Sequence, residues 1–169
     1  FPGQGSQTVG MARDLYDNFN YIKELFHEAD DTLNKSISKL IFEGPKELLD
    51  QTENTQPAIF LVSYSIFYTI KKETNFDIGK ANFFAGHSLG EYSALACSGV
   101  IDFRETIKLL KIRGNAMQSA VQKGEGGMLA VLGSKIEDIE KILNDNSNSF
   151  KAEIANDNSN GQLVLSGKI

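Results

Sequence analysis

A serine set between two glycines constrains the fold of this chain more than any other feature. The segment FFAGHSLGEYSAL (83–95) runs from apolar residues through GHSLG (86–90) into a helical pattern. This is the G-x-S-x-G arrangement, in which a tight turn between a strand and a helix exposes a serine hydroxyl. The glycines leave room for crowded backbone, and N–H groups at the helix start can stabilise a negatively charged oxygen. The sequence therefore predicts a strand at 82–86, a helix from 89 to 98, and Ser88 as a nucleophile.

The alternative for Ser88 is structural: its hydroxyl would cap the following helix, and short G-x-S-x-G matches do occur by chance. The nucleophile is favoured because an apolar strand precedes the motif and a helix follows it. His87 is not expected to be its base, since neighbouring side chains at a strand end point to opposite sides. His27 is expected at the surface. Cys97 is expected to be a buried core residue rather than a second nucleophile.

The part of the chain before the second glycine-rich stretch is expected to be mainly helical. Apolar residues recur at helical spacing in segments covering 10–19, 20–34, 45–50, 55–72 and 102–122. The segment 55–72 is the most apolar, but it is interrupted by hydroxyl side chains and is too short to cross a bilayer, which takes about 20 apolar residues. It is therefore expected to be a buried helix. Asp102 is placed to cap the long helix that follows it.

A change of pattern after KGEGG (123–127) predicts a second, smaller unit. Strands are expected at 128–133, 152–156 and 162–167, with a helix at 135–143. This β-α-β-β run, added to the helical part, predicts an α/β fold with domains over 1–123 and 127–169. Both units offer too few strands for a complete sheet, so the chain is expected to be a fragment of a longer protein.

The opening FPGQGSQTVG (1–10) predicts a strand end followed by a glycine-rich loop. It does not match a nucleotide-binding loop. Thr8 stands where the Rossmann pattern needs glycine, and Met11 and Ala12 follow where a P-loop needs Lys and then Ser or Thr. A loop of small residues can instead present a backbone N–H to the serine turn. We expect the N–H of Gln4 to contribute to an oxyanion hole in this way.

Arg113 interrupts the pattern of the long helix. At about 100° per residue, polar side chains gather on one face, which is expected in solvent. That face carries Arg104, Lys108, Lys111, Asn115 and Gln118. Arg113 lies about 200° from Lys111, on an apolar face that is expected to be buried. The apolar face carries Leu109, Leu110, Ala116, Met117 and Ala120. The Arg113 guanidinium could form an internal salt bridge, reach out to water, or bind a substrate carboxylate with two hydrogen bonds.

Charge and composition exclude several classes of function. The net charge of -5 disfavours nucleic-acid binding, which needs a basic surface. One cysteine and two histidines exclude an internal disulfide and a cysteine-cluster metal site, so no metal or other cofactor is expected. No signal peptide or membrane segment is visible. A reducing, cytoplasmic setting is expected.

Five segments together resemble the malonyl-CoA:acyl carrier protein transacylases of bacterial fatty acid synthesis, over essentially the whole chain. In family order they are FPGQGSQ (1–7), TQPA (55–58), AGHSLGEYSALACSGVIDF (85–103), RGNAMQ (113–118) and NSNGQLVLSG (158–167). The resemblance implies an α/β-hydrolase-like core, of which 1–123 would be the N-terminal part. It also implies that 127–169 is the first part of a ferredoxin-like small subdomain. Asn160 departs from the family, which commonly has proline there, and a local loop change is expected.

The same resemblance implies roles for individual residues. Ser88 would be the acylated nucleophile, and the backbone N–H groups of Gln4 and Leu89 would form the oxyanion hole. Arg113 would hold the free carboxylate of the malonyl group, and Gln56 would line the same cleft. The family's catalytic histidine belongs to a later segment that matches nothing here, so no residue is given that role and the chain alone is expected to be inactive.

The expected activity is the transfer of malonyl from malonyl-CoA to the phosphopantetheine thiol of acyl carrier protein, through an acyl-serine. Three alternatives remain: an acyltransferase domain of a polyketide or multidomain fatty acid synthase, a serine hydrolase, and a non-catalytic module that binds a carrier protein. Malonyl-CoA and acyl carrier protein are the expected partners. Because carrier proteins are typically acidic, Lys108 and Lys111 are candidates for a docking patch.

Overall fold

The computed structural model describes residues 1–121 and 124–168. The chain has an α/β fold and divides into two compact units, Phe1–Gln118 and Ser119–Ile169. Regular secondary structure in the described residues of the first unit is helical, whereas the second unit contains a small sheet. None of the described helices has the length and the apolar character needed to cross a membrane.

Seven α-helices and one short 3-10 helix account for the regular structure described before residue 120. The α-helices are α1 Arg13–Asn18, α2 Asn20–Leu33, α3 Ile37–Glu43, α4 Lys46–Leu49, α5 Thr52–Glu73, α6 Gly90–Cys97 and α7 Phe103–Ser119, and the 3-10 helix is Ile78–Lys80. The predicted helices at 20–34, 55–72 and 89–98 are confirmed with small shifts at their ends. Asp102 caps α7 as predicted, since its Oδ1 accepts a hydrogen bond of 2.8 Å from the Glu105 N–H. Helix α7 ends at Ser119, earlier than the predicted end at about 122, and residues 122 and 123 lie outside the described residues.

Helix α5 forms the centre of the first unit. Every residue from 54 to 61 is buried, because helices pack around this part of α5 on several sides. The surrounding core residues include Ile22 and Phe26 of α2, Ile41 of α3, and Ile107 and Leu110 of α7. Burying one such side chain stabilises the fold by about 1.5–3 kcal/mol. The prediction of a buried helix here is confirmed.

The prediction of a strand at 82–86 is wrong, because these residues do not form a regular strand. The segment is extended, and the Phe1 N–H₃⁺ donates to Ala85 O over 2.7 Å while Phe1 O accepts from the His87 N–H over 3.0 Å. These two bonds have the pattern of a parallel strand pair. They form one isolated bridge rather than a continuous ladder, because Phe1 is the only described residue that lies alongside the segment.

The second unit is a three-stranded antiparallel sheet with one helix. Its elements are β1 Gly126–Leu132, α8 Ile136–Asp145, β2 Ala152–Ser159 and β3 Gln162–Lys168, with β3 in the middle. The predicted β-α-β-β order is confirmed. Strand β2 runs three residues beyond the predicted end at 156, because Asn160 and Gly161 form a two-residue hairpin turn and Ser159 pairs directly with Gln162. Glycine suits the second central position of this turn, because Gly161 adopts a φ of 80° there.

Candidate active site

The turn around Ser88 has the geometry of a nucleophile elbow. Ser88 has a φ of 54°, in the left-handed region that residues other than glycine rarely adopt. The flanking glycines have no space for a side chain: a Cβ on Gly86 would lie 1.9 Å from the Gly90 carbonyl carbon, and one on Gly90 would lie 2.3 Å from Phe1 O. Helix α6 begins at once, since the Gly90 and Glu91 N–H groups donate to the carbonyls of residues 87 and 88. The strained turn therefore holds Ser88 exposed at the start of a helix.

The hydroxyl of Ser88 is bonded to Arg113 rather than to the helix that follows it. Arg113 Nη2 donates to Ser88 Oγ over 3.0 Å, and helix α6 has no side-chain cap. The alternative in which the Ser88 hydroxyl merely caps the helix is therefore excluded. A guanidinium beside a serine oxygen also provides positive charge next to any acyl group attached to that oxygen.

A buried glutamine fixes the position of the Arg113 guanidinium. Arg113 Nη1 donates to Gln56 Oε1 over 2.7 Å, and the Gln56 side chain is 0% exposed. The amide group of Gln56 is oriented in turn by its contact with Met117, because Nε2 donates to Sδ over 3.2 Å. The guanidinium carbon lies 5.8 Å from the centre of the Tyr92 ring, within the range of a cation–π contact. The side chains of Ser88, Arg113 and Gln56 thus form one connected group.

A close approach of two helices brings Arg113 to this position. A Cβ on Gly114 would lie 2.7 Å from Glu53 Cα and 2.9 Å from Thr52 O, so α7 can contact the first turn of α5 only with glycine there. Lys111 and Glu53 form an ion pair over 3.6 Å across the same contact. Neither Gly114 nor the sulfur of Met117 was predicted to take part. A glycine inside a helical pattern is itself a signal of close packing.

The predicted orientation of α7 is partly wrong. Its buried face carries Phe103, Thr106, Ile107, Leu110 and Gly114. Of the predicted apolar face, Leu110 is buried, but Leu109 is 37% exposed and Met117 is 48% exposed. Ala116 and Ala120 are exposed as well. The contact at Gly114 rotates the buried face away from these residues, so Arg113 lies half-buried at its edge.

The glycine-rich loop lies against the serine turn. A Cβ on Gly3 would lie 2.5 Å from His87 Nδ1, and the Gln4 side chain donates to Thr52 Oγ1 over 3.3 Å. Within residues 1–121 and 124–168, no protein acceptor is found for the backbone N–H of Gln4 or of Leu89. N–H groups without a protein acceptor are the usual elements of an oxyanion hole, and this role remains a prediction for both residues.

The other reactive side chains differ in their surroundings. His27 is exposed, as predicted, and its ring lies edge-on to Tyr16 with 6.4 Å between centroids. His87 points towards Gly3. Cys97 is partly buried, and this burial raises the pKa of its thiol to about 12, so it stays protonated and a poor nucleophile at neutral pH. Among the described residues, no group of three or more His, Cys, Asp or Glu side chains could hold a metal ion.

Comparison with known proteins identifies the family of the chain. The model of the acyl transferase domain family matches residues 1–168. The malonyl CoA-acyl carrier protein transacylase of Haemophilus influenzae is 44% identical over 99% of this chain and 53% of its own length. The transacylase of the same name from Bacillus subtilis strain 168 is 41% identical over 99% of this chain and 52% of its own length. The chain thus spans about half the length of the curated relatives it matches.

Solved structures agree in fold as well as in sequence. An acyl-carrier-protein-S-malonyltransferase from Bartonella henselae superposes with a TM-score of 0.93 at 44% identity, over 99% of this chain and 54% of that one. A malonyl-transacylase in complex with a type II PKS acyl-carrier protein gives a TM-score of 0.90 at 40% identity, over 99% and 53% of the two chains. With a family match over nearly its whole length, the chain belongs to the acyl transferase domain family.

Proposed function

We propose that the protein carrying this chain is an acyl-carrier-protein S-malonyltransferase of fatty acid biosynthesis. It would move malonyl from malonyl-CoA to the phosphopantetheine thiol of acyl carrier protein. The observation that carries the proposal is the Arg113 guanidinium 3.0 Å from the hydroxyl of a strained, exposed serine. The substrate of a hydrolase of neutral esters has no negative charge for this cation to bind. A malonyl group, in contrast, has a free carboxylate that can bind the guanidinium.

The proposed reaction proceeds in two steps through an acyl-serine. Ser88 Oγ bonds to the thioester carbonyl carbon, the C–S bond breaks, and coenzyme A leaves as the thiol, having gained the proton that Ser88 lost. The backbone N–H groups of Gln4 and Leu89 stabilise the oxyanion formed during the attack. The carrier thiol then attacks the serine ester and restores the Ser88 hydroxyl. No described residue is assigned as the base, and neither step calls for a metal or redox cofactor.

Selection of malonyl over acetyl is assigned to Arg113. Its planar guanidinium can bind a carboxylate with two parallel hydrogen bonds, and an acetyl group would leave that charge without its anion. Gln56 lines the same cleft and holds the guanidinium by one edge, which leaves other donors for the substrate.

The finer features of the fold and setting are part of the same proposal. Residues 1–123 would be the N-terminal part of an α/β-hydrolase-like core, and 127–169 would begin a ferredoxin-like subdomain. The protein would act in the cytoplasm, with malonyl-CoA and acyl carrier protein as its partners. A role in polyketide synthesis is the second candidate, favoured by the likeness to the malonyl-transacylase solved with a type II PKS acyl-carrier protein.

The test is acylation of the full-length protein by malonyl-CoA without any carrier. Intact mass and peptide mapping are expected to find one malonyl group on Ser88, and none in Ser88→Ala. In Arg113→Ala, malonyl labelling is expected to slow by a factor of roughly 100, as for the loss of a charged hydrogen-bonded contact, while acetyl-CoA gains relative to malonyl-CoA. A folded protein that takes no acyl group from either donor would exclude the transferase and favour a carrier-binding module.

A further inference from the structure

Two side chains of the glycine-rich loop form hydrogen bonds with the backbone on either side of Gln4. The Gly5 N–H donates to Gln7 Oε1 over 2.8 Å, and the Ser6 hydroxyl donates to Gly3 O over 2.9 Å. Gly5 also has a φ of 107°, in a region that glycine adopts without strain. These bonds stabilise one particular shape of the turn at Gln4 and Gly5.

The bond from Ser6 sets the direction of the Gln4 N–H. The Gly3 carbonyl and the Gln4 N–H belong to one planar peptide group and point in opposite directions. A side chain that holds the carbonyl oxygen therefore also fixes the N–H. A hydrogen bond to the carbonyl polarises the peptide group as well, which makes its N–H a stronger donor. Gln7 fixes the following peptide group in the same way, through the Gly5 N–H.

Asp50 holds the side chain of Gln7 from outside the loop. Gln7 Nε2 donates to Asp50 Oδ1 over 2.8 Å. Because an ionised carboxylate only accepts hydrogen bonds, Asp50 determines which end of the Gln7 amide faces it and leaves Oε1 for the Gly5 N–H. Asp50 also forms an ion pair with Lys46, and hydrogen bonds from Lys46 and Gln7 lower the pKa of the Asp50 carboxyl. The carboxylate therefore stays ionised at neutral pH.

The loop meets the serine turn at Gly3. A Cβ on Gly3 would lie 2.5 Å from His87 Nδ1 and 2.9 Å from His87 O. The Phe1 carbonyl also accepts a hydrogen bond of 3.0 Å from the His87 N–H. Gln4 follows Gly3 directly, and Ser88 follows His87 directly. The peptide group that carries the Gln4 N–H therefore lies next to the turn that exposes the Ser88 hydroxyl.

We propose that Ser6 and Gln7 are positioning residues for the Gln4 N–H in the oxyanion hole. They orient this N–H towards the oxyanion formed at Ser88, and Asp50 holds Gln7 in place. The inference rests on the proposed function, in which the N–H stabilises charge that develops only in the transition state. A misaligned N–H therefore slows acylation and leaves substrate binding unchanged. The same oxyanion forms whichever acyl group is transferred, so the preference for malonyl is unaffected.

The test is single-turnover acylation of the full-length protein by malonyl-CoA and by acetyl-CoA, without carrier. In Ser6→Ala and in Gln7→Leu, the maximum acylation rate is expected to fall by a factor of roughly 10 with either donor. Loss of a whole oxyanion donor costs a factor of about 100 to 1,000, and here the N–H is misdirected rather than removed. The half-saturating concentration of each donor and the ratio of malonyl to acetyl rates are expected to stay unchanged. Arg113→Ala changes that ratio, so the two kinds of variant are distinguishable.

Two substitutions of Asp50 separate its hydrogen bond from its charge. Asp50→Ala removes the acceptor for Gln7 Nε2 and is expected to slow acylation to the same extent as Gln7→Leu. Asp50→Asn keeps an oxygen that can accept this bond and is expected to restore most of the rate. The double variant Gln7→Leu/Asp50→Ala is expected to be no slower than Gln7→Leu alone, because both changes break one chain of contacts. The matched control is Glu47→Ala, which removes an exposed carboxylate from α4 and is expected to leave acylation unchanged.

Thermal unfolding of each variant distinguishes positioning from a general loss of structure. A lower unfolding temperature together with a raised half-saturating concentration would overturn the proposal, because the loop would then only support the fold. It is also overturned if the folded variants Ser6→Ala and Gln7→Leu acylate at the original rate, or if they change the ratio of malonyl to acetyl rates. Should Gln7→Leu fail to fold, Ser6→Ala, at an exposed position, gives the same test. Failure of the proposed function would look different, since the unmodified protein would then take an acyl group from neither donor.

Discussion

Gln56 is a neutral residue at a position where a carboxylate would compete with the substrate. Its side-chain oxygen binds one edge of the Arg113 guanidinium over 2.7 Å without cancelling the positive charge. A glutamate there would form a buried ion pair with Arg113 and leave less attraction for a malonyl carboxylate. An amide thus orients the arginine while preserving its charge, as the proposed binding of a malonyl carboxylate requires.

Substitution of Gln56 tests this division of roles. Gln56→Leu removes the bond to Arg113, and kcat/KM for malonyl-CoA is expected to fall by a factor of roughly 10 to 100, equivalent to about 1.5–3 kcal/mol for a hydrogen bond to a charged group. Transfer of acetyl should change much less, since acetyl has no carboxylate to bind. The control is Gln118→Leu, an exposed position on α7. An unchanged preference for malonyl over acetyl in Gln56→Leu would contradict the argument.

The sequence predicted the turn at Ser88 better than the side-chain contacts around it. The turn and the helix that follows Ser88 were predicted from local chemistry, because glycines are required wherever backbone crowds so tightly. Arg113 was singled out by its place on the helix, although the face assigned to it was partly wrong. The contact between Gln56 and Met117 joins residues 61 positions apart. No local pattern encodes such a contact, and the catalytic and binding roles of Ser88, Arg113, Gln4, Leu89 and Gln56 stay predictions.

Among the helices, the packing of α7 on α5 decides where the arginine lies. Gly114→Ala is expected to lower the free energy of unfolding by about 1–3 kcal/mol, because the new methyl group would meet backbone atoms of Glu53 and Thr52. In an open helix the same change would stabilise by about 1 kcal/mol, so the sign of the effect reports the contact. Thermal unfolding measures it. Asn115→Ala, at an exposed position one residue further on, serves as the control, and an unfolding temperature for Gly114→Ala at or above the original would exclude the contact.

The elements that sequence reasoning missed depend on distant partners. Helix α3 was not predicted. It is fixed at its start by Asp30, whose Oδ1 accepts a hydrogen bond of 2.9 Å from the Ser38 N–H. The extended segment 82–86 has the residues of a strand, but a strand is defined by its neighbours, and here Phe1 alone supplies bonds among the described residues. By contrast, the hairpin of β2 and β3 follows from local signals, since alternating residues flank an Asn-Gly turn.

Large apolar side chains are exposed to solvent in both units of the molecule. Phe83 is 91% exposed, and other large apolar side chains are also open to solvent, including Phe76, Val100 and Ile112. Exposed apolar side chains promote association where they form a continuous patch. The 169-residue chain is therefore expected to bind a hydrophobic dye and to self-associate as its concentration rises.

Two neighbouring phenylalanines give a matched test of this surface. Phe83→Ser is expected to reduce dye binding and to leave the unfolding temperature unchanged, because the Phe83 side chain is almost fully exposed. Phe84→Ser is expected to lower the unfolding temperature, because Phe84 is half-buried and packs edge-on against Phe67 with 6.0 Å between ring centroids. Equal effects of the two changes on stability would contradict this account of the surface.

The positive φ of Ser88 also bears on how such a chain can change over evolutionary time. The left-handed backbone costs a serine about 1 kcal/mol or more that a glycine would not lose. Folding therefore selects against serine at this position, and under the proposed function only the chemistry of its hydroxyl selects for it. In a lineage that no longer needs acyl transfer, glycine is the replacement that selection for stability favours at position 88. A family member with glycine there would be recognised as a former enzyme that kept its fold.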